Sequence, residues 1–595
     1  MNEFVLTPID YAAFASFFII LSVVGFLAGR KERESSEDYF LAGKKLPWYV
    51  VGGSFVASNI SSEHFIGQIG AACMFGICVA LADWMNVLSF SLLIWLFIPF
   101  LLVTRVFTIP EFLERRFSPF LRQMFAVVTI LTNVVAFLAA ILYGGALALH
   151  DLFGWNLWFA IVTLGIVAGI WAIYGGLSSV AWTDLFTVAV MIIGGTTVTI
   201  LGLNVLAGED GTLLDGFAKV IEFNRAEENP WKEAVERNME YFGTEEEYDR
   251  LSVVQPADHP VNPWPSLIFG VFAVSIWYNV LNQFMIQRVL GAKNMYHARM
   301  GIVFAGFLKV FMPVITVLPG LILFAMRPEI LNQDWTLVKK SADTGYVHML
   351  QTLVPAGLRG LFLAALFGAI QSTVNSVLNS TATIFTLDMY KQWIRRDASD
   401  RHLVWVGVAT SVVVLAVAIV LGGFIDRLDT GGLFVYIQTL YFFFAPPFSA
   451  VFILGILWKR ANAKGAAAAV VAGFVLGILV KVYLQLPEVP PEWITACGLE
   501  GPYSACIALH PTWLVPYANQ GALNWAVCTV ICIVVSLATA PPKPEQVDDQ
   551  LVVNWHRLNI FSELGTAWYN SVVTWWLLFV ASIVVLVAVF SGAWL

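Results

Sequence analysis

Fourteen separate stretches of this chain are apolar enough, and long enough, to cross a lipid bilayer, and that count constrains the fold more than any other feature. A spanning helix needs about 20 mainly apolar residues. By that rule spans fall near 10–29, 48–72, 79–103, 122–149, 155–174, 182–207, 264–287, 299–326, 357–386, 403–424, 431–457, 465–485, 520–540 and 570–592. The composition agrees: 58% of the 595 residues are hydrophobic and 12% are charged, about half the charge of a typical soluble domain. Mean hydropathy is +0.76. These values exclude a cytosolic enzyme, a disordered chain, a nucleic-acid binder and a disulfide scaffold. The runs are also far longer than the roughly ten residues of a tilted barrel strand. The expected fold class is therefore an all-α polytopic membrane protein of the cell membrane.

Charge sets the expected orientation. Basic loops at 30–45, 105–122, 288–299, 391–401 and 459–464 all fall on one side of a fourteen-span chain. Positive loops face the cytoplasm. Residues 208–262 fall on the opposite side with fourteen acidic and five basic residues, a balance of −9 against a net charge of −8 for the whole chain. Both termini and the loop 486–519 are then extracytoplasmic. No basic region precedes the apolar run from Tyr11 to Gly29, so it reads as a retained span and not a cleaved signal. Of the six cysteines, Cys73, Cys78, Cys528 and Cys532 lie in apolar runs and read as core. Cys497 and Cys506 share a Pro-rich loop where, if extracytoplasmic, a disulfide is permitted. No G-x-x-x-x-G-K-[ST] phosphate loop, HExxH helix or Cys/His cluster occurs, which argues against an ATP-driven pump and a metalloenzyme.

Polar residues at membrane depth are costly and mark functional sites. Residues 52–67, Gly-Gly-Ser-Phe-Val-Ala-Ser-Asn-Ile-Ser-Ser-Glu-His-Phe-Ile-Gly, suit either a tightly packed helix interface or an unwound stretch exposing carbonyls to a cavity. Ser372, Asn375, Ser376 and Asn379 fall on one helix face with Thr373 beside them. Such an oxygen-rich face suits a hard monovalent cation such as Na⁺, or bonds back to its own helix. Ser275-Ile-Trp-Tyr-Asn-Val-Leu-Asn-Gln283 sets aromatics beside amides, as carbohydrate recognition requires; an aromatic helix core uses the same residues. Asp83, Asp184 and Lys309 are single charges inside spans, and Lys309 requires a polar cavity or a carboxylate. Gln438 is a further polar position.

With these residues in place the chain resembles the sodium:solute symporter family, and within it the sodium/glucose and sodium/myo-inositol cotransporters. The matching blocks are FVASNISSEHFIG (55–67), TIPEFLERRF (108–117), GGLSSVAWTD (175–184), WYNVLNQFMIQRVLGAKNM (277–295), GLRGLFLAALFGAIQSTVNSVLNSTATIFTLDMY (357–390) and APPFSAVFILGILWKR (445–460). The resemblance implies a LeuT-like core of two inverted five-helix repeats, 48–207 and 264–457. An extra helix and basic loop (1–47) precede it, an acidic loop (208–263) divides it, and extra C-terminal helices follow (458–595). The helices starting near 48 and 264 would be broken. It places a sodium site on the carbonyls of Ala57, Ile60 and Ala369 and the hydroxyls of Ser372 and Thr373. A second sodium site of some members would use Asp184, Ser372, Asn375 and Ser376. The substrate site falls on Asn59, His64, Asp83, Ser275, Tyr278, Lys309 and Gln438, with Tyr278 as inner gate. Three positions depart from the pattern: Asp83 replaces Glu, Asn279 replaces the Trp after the gate, and Asn375 replaces Ser/Thr. The implied activity is Na⁺-driven uptake of a glucose- or galactose-like sugar by alternating access, with no catalytic residues. The alternatives are symport of myo-inositol or another small solute, and a solute sensor that does not transport.

Overall fold

In a computed structural model of the chain, residues 6–30, 35–104, 106–225, 249–268, 270–333, 335–425, 433–486, 511–555 and 558–591 are described. Cys497 and Cys506, and the centre of the acidic loop, lie outside them. Among the described residues the protein is helical, with isolated bridges 46–292 and 255–263 in place of strands. Among the described residues eleven helices are long and apolar enough to cross a membrane. Of the fourteen expected spans, those at 48–72, 155–174 and 264–287 are built from shorter pieces.

Two of these pieces are breaks. The helix Trp48–Asn59 ends where Ile60 turns extended (φ −85°, ψ 122°), and winding resumes over Glu63–Gln68 and Ile69–Phe75. The helix Gly270–Ile276 loosens into a wide turn over Trp277–Leu281. Asn282 is then extended (φ −69°, ψ 121°), and Gln283–Leu290 follows as a new helix. Both are the helices expected to break. Unwound backbone at membrane depth requires protein or a cavity around it, and Ile60 and Asn282 are each fully buried. The third piece comes from a corner: residues 157–207 form one helical run folded at Gly176 (φ 58°, ψ −156°). A Cβ there would lie 2.4 Å from the Tyr39 carbonyl, so only glycine fits the corner.

The helix Trp48–Asn59 is clasped between Met295–Thr316 and Leu157–Ala207, and the latter packs along Arg359–Ile384. These helices form the centre. Ala463–Gln485 and Val572–Val589 are peripheral and turn apolar side chains outward, among them Val475, Leu479 and Val584 at 50%, 59% and 60% exposure. That surface fits lipid rather than water.

The central clasp depends on Gly52, whose added Cβ would stand 2.3 Å from the Gly301 carbonyl. Overpacking of this kind costs about 1–3 kcal/mol. Gly52→Val is expected to lower the melting temperature of the detergent-purified protein, and an unchanged melting curve would contradict the close approach.

Candidate functional site

The first break explains the carbonyls. An unbroken helix would close Ser61 N–H onto the Ala57 carbonyl; here that N–H turns to His64 Nδ1 at 3.4 Å. The end of a helix leaves its last carbonyls without intrahelical donors. One hydroxyl from the neighbouring helix meets them. Thr373 Oγ1 lies 3.1 Å from the Ser58 carbonyl, 3.0 Å from that of Ile60 and 3.2 Å from that of Ala369. Thr373, Ile60 and Ala369, three of the five residues expected to hold sodium, are thus in contact at the break. Ser372, one residue away, donates to Asp184 Oδ1 at 2.6 Å. Ala57 is fully buried one turn above.

Asp184 gathers four helices. Its Oδ2 accepts from Ser54 (2.6 Å), Ser58 (3.0 Å) and Arg288 Nη2 (3.3 Å). Arg288 also donates from Nε to Ser54 Oγ at 2.6 Å, from Nη2 to Ser376 Oγ, and from Nη1 to the Phe284 carbonyl. Ser376 also contacts Ser58 at 2.8 Å. Asn375 stands apart from this cluster: its Oδ1 accepts from the Ala172 N–H at 3.3 Å.

Next to the first break lies a narrow cavity, partly open to the outside. All seven residues expected to bind substrate line it: Asn59, His64, Asp83, Ser275, Tyr278, Lys309 and Gln438. Lys309 Nζ donates to Asp83 Oδ1 at 2.5 Å and to Asn59 Oδ1. Asp83 Oδ2 accepts from Gln68 Nε2 at 3.0 Å. Lys309 therefore faces a carboxylate and a cavity together, and Asp83 is held by two donors. The floor is aromatic. The Tyr278 ring lies 5.6 Å from Tyr441, 5.7 Å from Phe284 and 6.0 Å from Phe137.

Several lining residues were not picked out from the sequence, chiefly Glu63, Gln68, Asn86 and Tyr441. Glu63 accepts from Gln438 Nε2 at 3.2 Å and from the Tyr441 hydroxyl at 3.4 Å. Its presence beside His64 was visible, but its direction was set by the loose winding of 63–68. Asn279, where a Trp was expected, is buried and donates to Asn86 Oδ1 (2.6 Å) and Ser89 Oγ (2.9 Å). It braces the wall behind the cavity instead of facing into it. Among the described residues no group of three or more His, Cys, Asp or Glu could hold a metal ion.

Residues 39–473 match the sodium:solute symporter family. A sodium/glucose cotransporter of Vibrio parahaemolyticus is 35% identical over 487 residues, 80% of this chain and 86% of that protein. A human sodium/myo-inositol cotransporter is 34% identical over 579 residues, 93% of this chain and 76% of that protein. A solved Na⁺-coupled sialic acid symporter, in a substrate-bound outward-open state, superposes with a TM-score of 0.70 at 19% identity, covering 90% of this chain and 99% of its own. That likeness establishes the fold.

Removing one partner of a buried ion pair costs about 3–5 kcal/mol, whereas replacing both with apolar groups is often neutral. Lys309→Met is therefore expected to lower the melting temperature sharply, and Lys309→Met with Asp83→Leu to recover most of it while leaving transport abolished. Recovered transport in the double variant would remove both residues from the substrate site.

Proposed function

Because this chain belongs to the sodium:solute symporter family and is thus a multi-pass Na⁺-coupled solute transporter, not an enzyme, we propose that its solute is a neutral sugar of the glucose or galactose type. The convergence of all seven expected residues on one cavity carries this reading. Asp83, Glu63, Gln438, Asn59 and Lys309 offer both acceptors and donors to hydroxyl groups. The Tyr278 and Tyr441 rings offer faces for the C–H side of a sugar ring. A ring with hydroxyls all round, such as myo-inositol, matches the same set. The 34% identity with a sodium/myo-inositol cotransporter keeps it as the second reading.

Sodium in this proposal sits between Ala57 and Ile60 on one side and Ala369, Ser372 and Thr373 on the other. The Thr373 hydroxyl already meets the Ile60 and Ala369 carbonyls. A cation there takes oxygen lone pairs from both the broken helix and Arg359–Ile384 and holds them together. A ligand shifts a conformational equilibrium only through its differential affinity for the states. Na⁺ therefore favours the geometry in which these two helices close on each other. Solute then binds above Tyr278, and the aromatic floor gives way toward the inner side.

The driving force is adequate. Moving one charge through 100 mV supplies about 2.3 kcal/mol, and a tenfold Na⁺ gradient about 1.4 kcal/mol. One Na⁺ per cycle sustains a solute gradient on the order of several hundredfold.

The test is uptake into proteoliposomes under an inward Na⁺ gradient, with K⁺ replacing Na⁺ as control. Labelled glucose is expected to enter only with Na⁺ and to be displaced by galactose. Displacement by myo-inositol alone would move the solute to the second reading. Binding without flux would make the chain a sensor. Thr373→Ala, which removes an oxygen but little volume, is expected to raise the half-saturating Na⁺ concentration at least tenfold. Unchanged Na⁺ dependence in that variant would overturn the sodium site.

A further inference from the structure

The peripheral helix Ala463–Gln485 carries a lysine near each end of an apolar stretch. Lys464 and Lys481 enclose sixteen residues, Gly465 to Val480, none of them charged. At 1.5 Å per residue the two lysines stand about 26 Å apart along the axis, close to the roughly 30 Å of a hydrocarbon core. Lys481 therefore lies at the headgroup level of one leaflet and Lys464 at that of the other. Trp513, 49% exposed just ahead of the neighbouring helix Tyr517–Ala538, marks the Lys481 level as well, because tryptophan collects at the membrane interface. Lys481 does not stand on an open surface. It lines a groove with Thr439 and Phe443 of Leu433–Leu457, Gly477 of its own helix, and Tyr517 and Gln520 of Tyr517–Ala538. Gly477 keeps the helices close here, since a Cβ on it would meet the Phe443 ring at 2.7 Å. No acidic side chain lines the groove. Among the described residues neither Lys481 nor the Thr439 hydroxyl has a hydrogen-bond partner or a countercharge. An unpaired charge beside lipid is costly, so this lysine calls for an anion. The same helix exposes Val475, Leu479 and Val482, a face that fits acyl chains, so the anion comes with the bilayer.

We propose that this groove binds the headgroup phosphate of an anionic phospholipid, with Lys481 and Thr439 as its donors, and that the bound headgroup braces one wall of the solute cavity. An ammonium offers three donors and a hydroxyl one, which suits the acceptor oxygens of a phosphate. A zwitterionic headgroup brings its own cation and competes with Lys481, so the match in charge favours an anionic lipid. The wall in question is Phe442 and Tyr517, which line the groove and the solute cavity alike, with ring centroids 5.2 Å apart. Phe442 is wedged between two further helices: a Cβ on Gly270 would lie 3.3 Å from its ring, and one on Gly521 would lie 2.5 Å from it. Filling the groove supports these rings from the lipid side.

Native mass spectrometry of the detergent-purified protein, titrated with dioleoyl phosphatidylglycerol or dioleoyl phosphatidylcholine, reads the retained lipid directly. The first phosphatidylglycerol is expected to bind about tenfold more tightly than phosphatidylcholine. Lys481→Gln is expected to remove that preference and Lys481→Arg, which keeps the charge, to preserve it. Lys464→Gln removes the same charge from the other end of the same helix and is expected to change nothing. Equal binding of the two lipids, or an unchanged preference in Lys481→Gln, overturns the proposal. An equal loss in Lys464→Gln reduces the effect to surface charge at large and overturns the site. Should Lys481→Gln fail to fold, Thr439→Val, which removes a donor at nearly constant volume, is expected to weaken phosphatidylglycerol binding several-fold, and unchanged binding there counts against the site. The bracing is read from melting curves. Phosphatidylglycerol is expected to raise the melting temperature of the wild-type protein but not that of Lys481→Gln, and no rise in the wild-type protein overturns the bracing. Inorganic phosphate that raises it as far as the lipid does would assign the groove to a free anion and overturn the lipid.

Discussion

A polar group at membrane depth has no water to turn to, so it must find its partner inside the protein or in a cavity the protein keeps open. That constraint organises the centre of this molecule. Asp184 is the clearest case. Two serines of the first broken helix, one serine of Arg359–Ile384 and the arginine of Gln283–Leu290 all converge on its carboxylate. Each bond satisfies a group that would otherwise be expensive to bury. Together they tie both broken helices to the two long helices between which they work. The breaks at Ile60 and Asn282 are tolerated for the same reason, since both lie wholly within protein.

The residues alone left a packed helix and an unwound one both open, and the resemblance placed the two breaks. The run from Gly52 to Gly67 carries too many small, polar and ionisable residues. The segment around Trp277–Gln283 places amides where a span should be apolar. The seven cavity residues were legible through the resemblance, which fixes positions along the chain. What the sequence withheld is pairing across distance. Lys309 announced a need for a partner, but nothing in its surroundings named Asp83, 226 positions away. Arg288 sat at the end of an aromatic segment and gave no sign that it reaches Asp184. The amide of Asn375 carries an oxygen on the same helix face as Ser372 and Ser376. Its direction depends on an N–H of the adjoining helix, which only the packing reveals.

The departures from the sugar-transporter pattern take on different weights in three dimensions. Asn279 drops out of the specificity question, because its amide is spent on Asn86 and Ser89. Asp83 stays in it. Its shorter arm is fixed by Lys309 on one oxygen and Gln68 on the other, so its acceptor capacity toward a solute is what those two donors leave. Two oxygens have about four lone-pair positions, and two of those are taken. Glu63, on the opposite side near Gln438 and Tyr441, adds a second carboxylate to a cavity whose one lysine is already paired.

The coupling argument turns on one hydroxyl. Thr373 lies within hydrogen-bonding distance of three carbonyls, those of Ser58 and Ile60 at the break and that of Ala369 one turn back on its own helix. A hydroxyl has a single hydrogen, so it serves one of them fully at a time. In the proposed sodium site the cation would displace that hydrogen and coordinate the Ile60 and Ala369 carbonyls together with that of Ala57, with Thr373 turning a lone pair inward. The break is then held by a charge rather than by one shared hydrogen bond, and the two helices are drawn together more strongly than the hydroxyl alone can manage. Asp184 reinforces the switch from behind by accepting the Ser372 hydrogen. In the proposed site Ser372 would then turn only lone pairs toward the same point. With Arg288 supplying the countercharge to Asp184, the field at that point is set by neutral oxygens. Such a site binds a monovalent ion and releases it, as a carrier that must unload on every cycle requires.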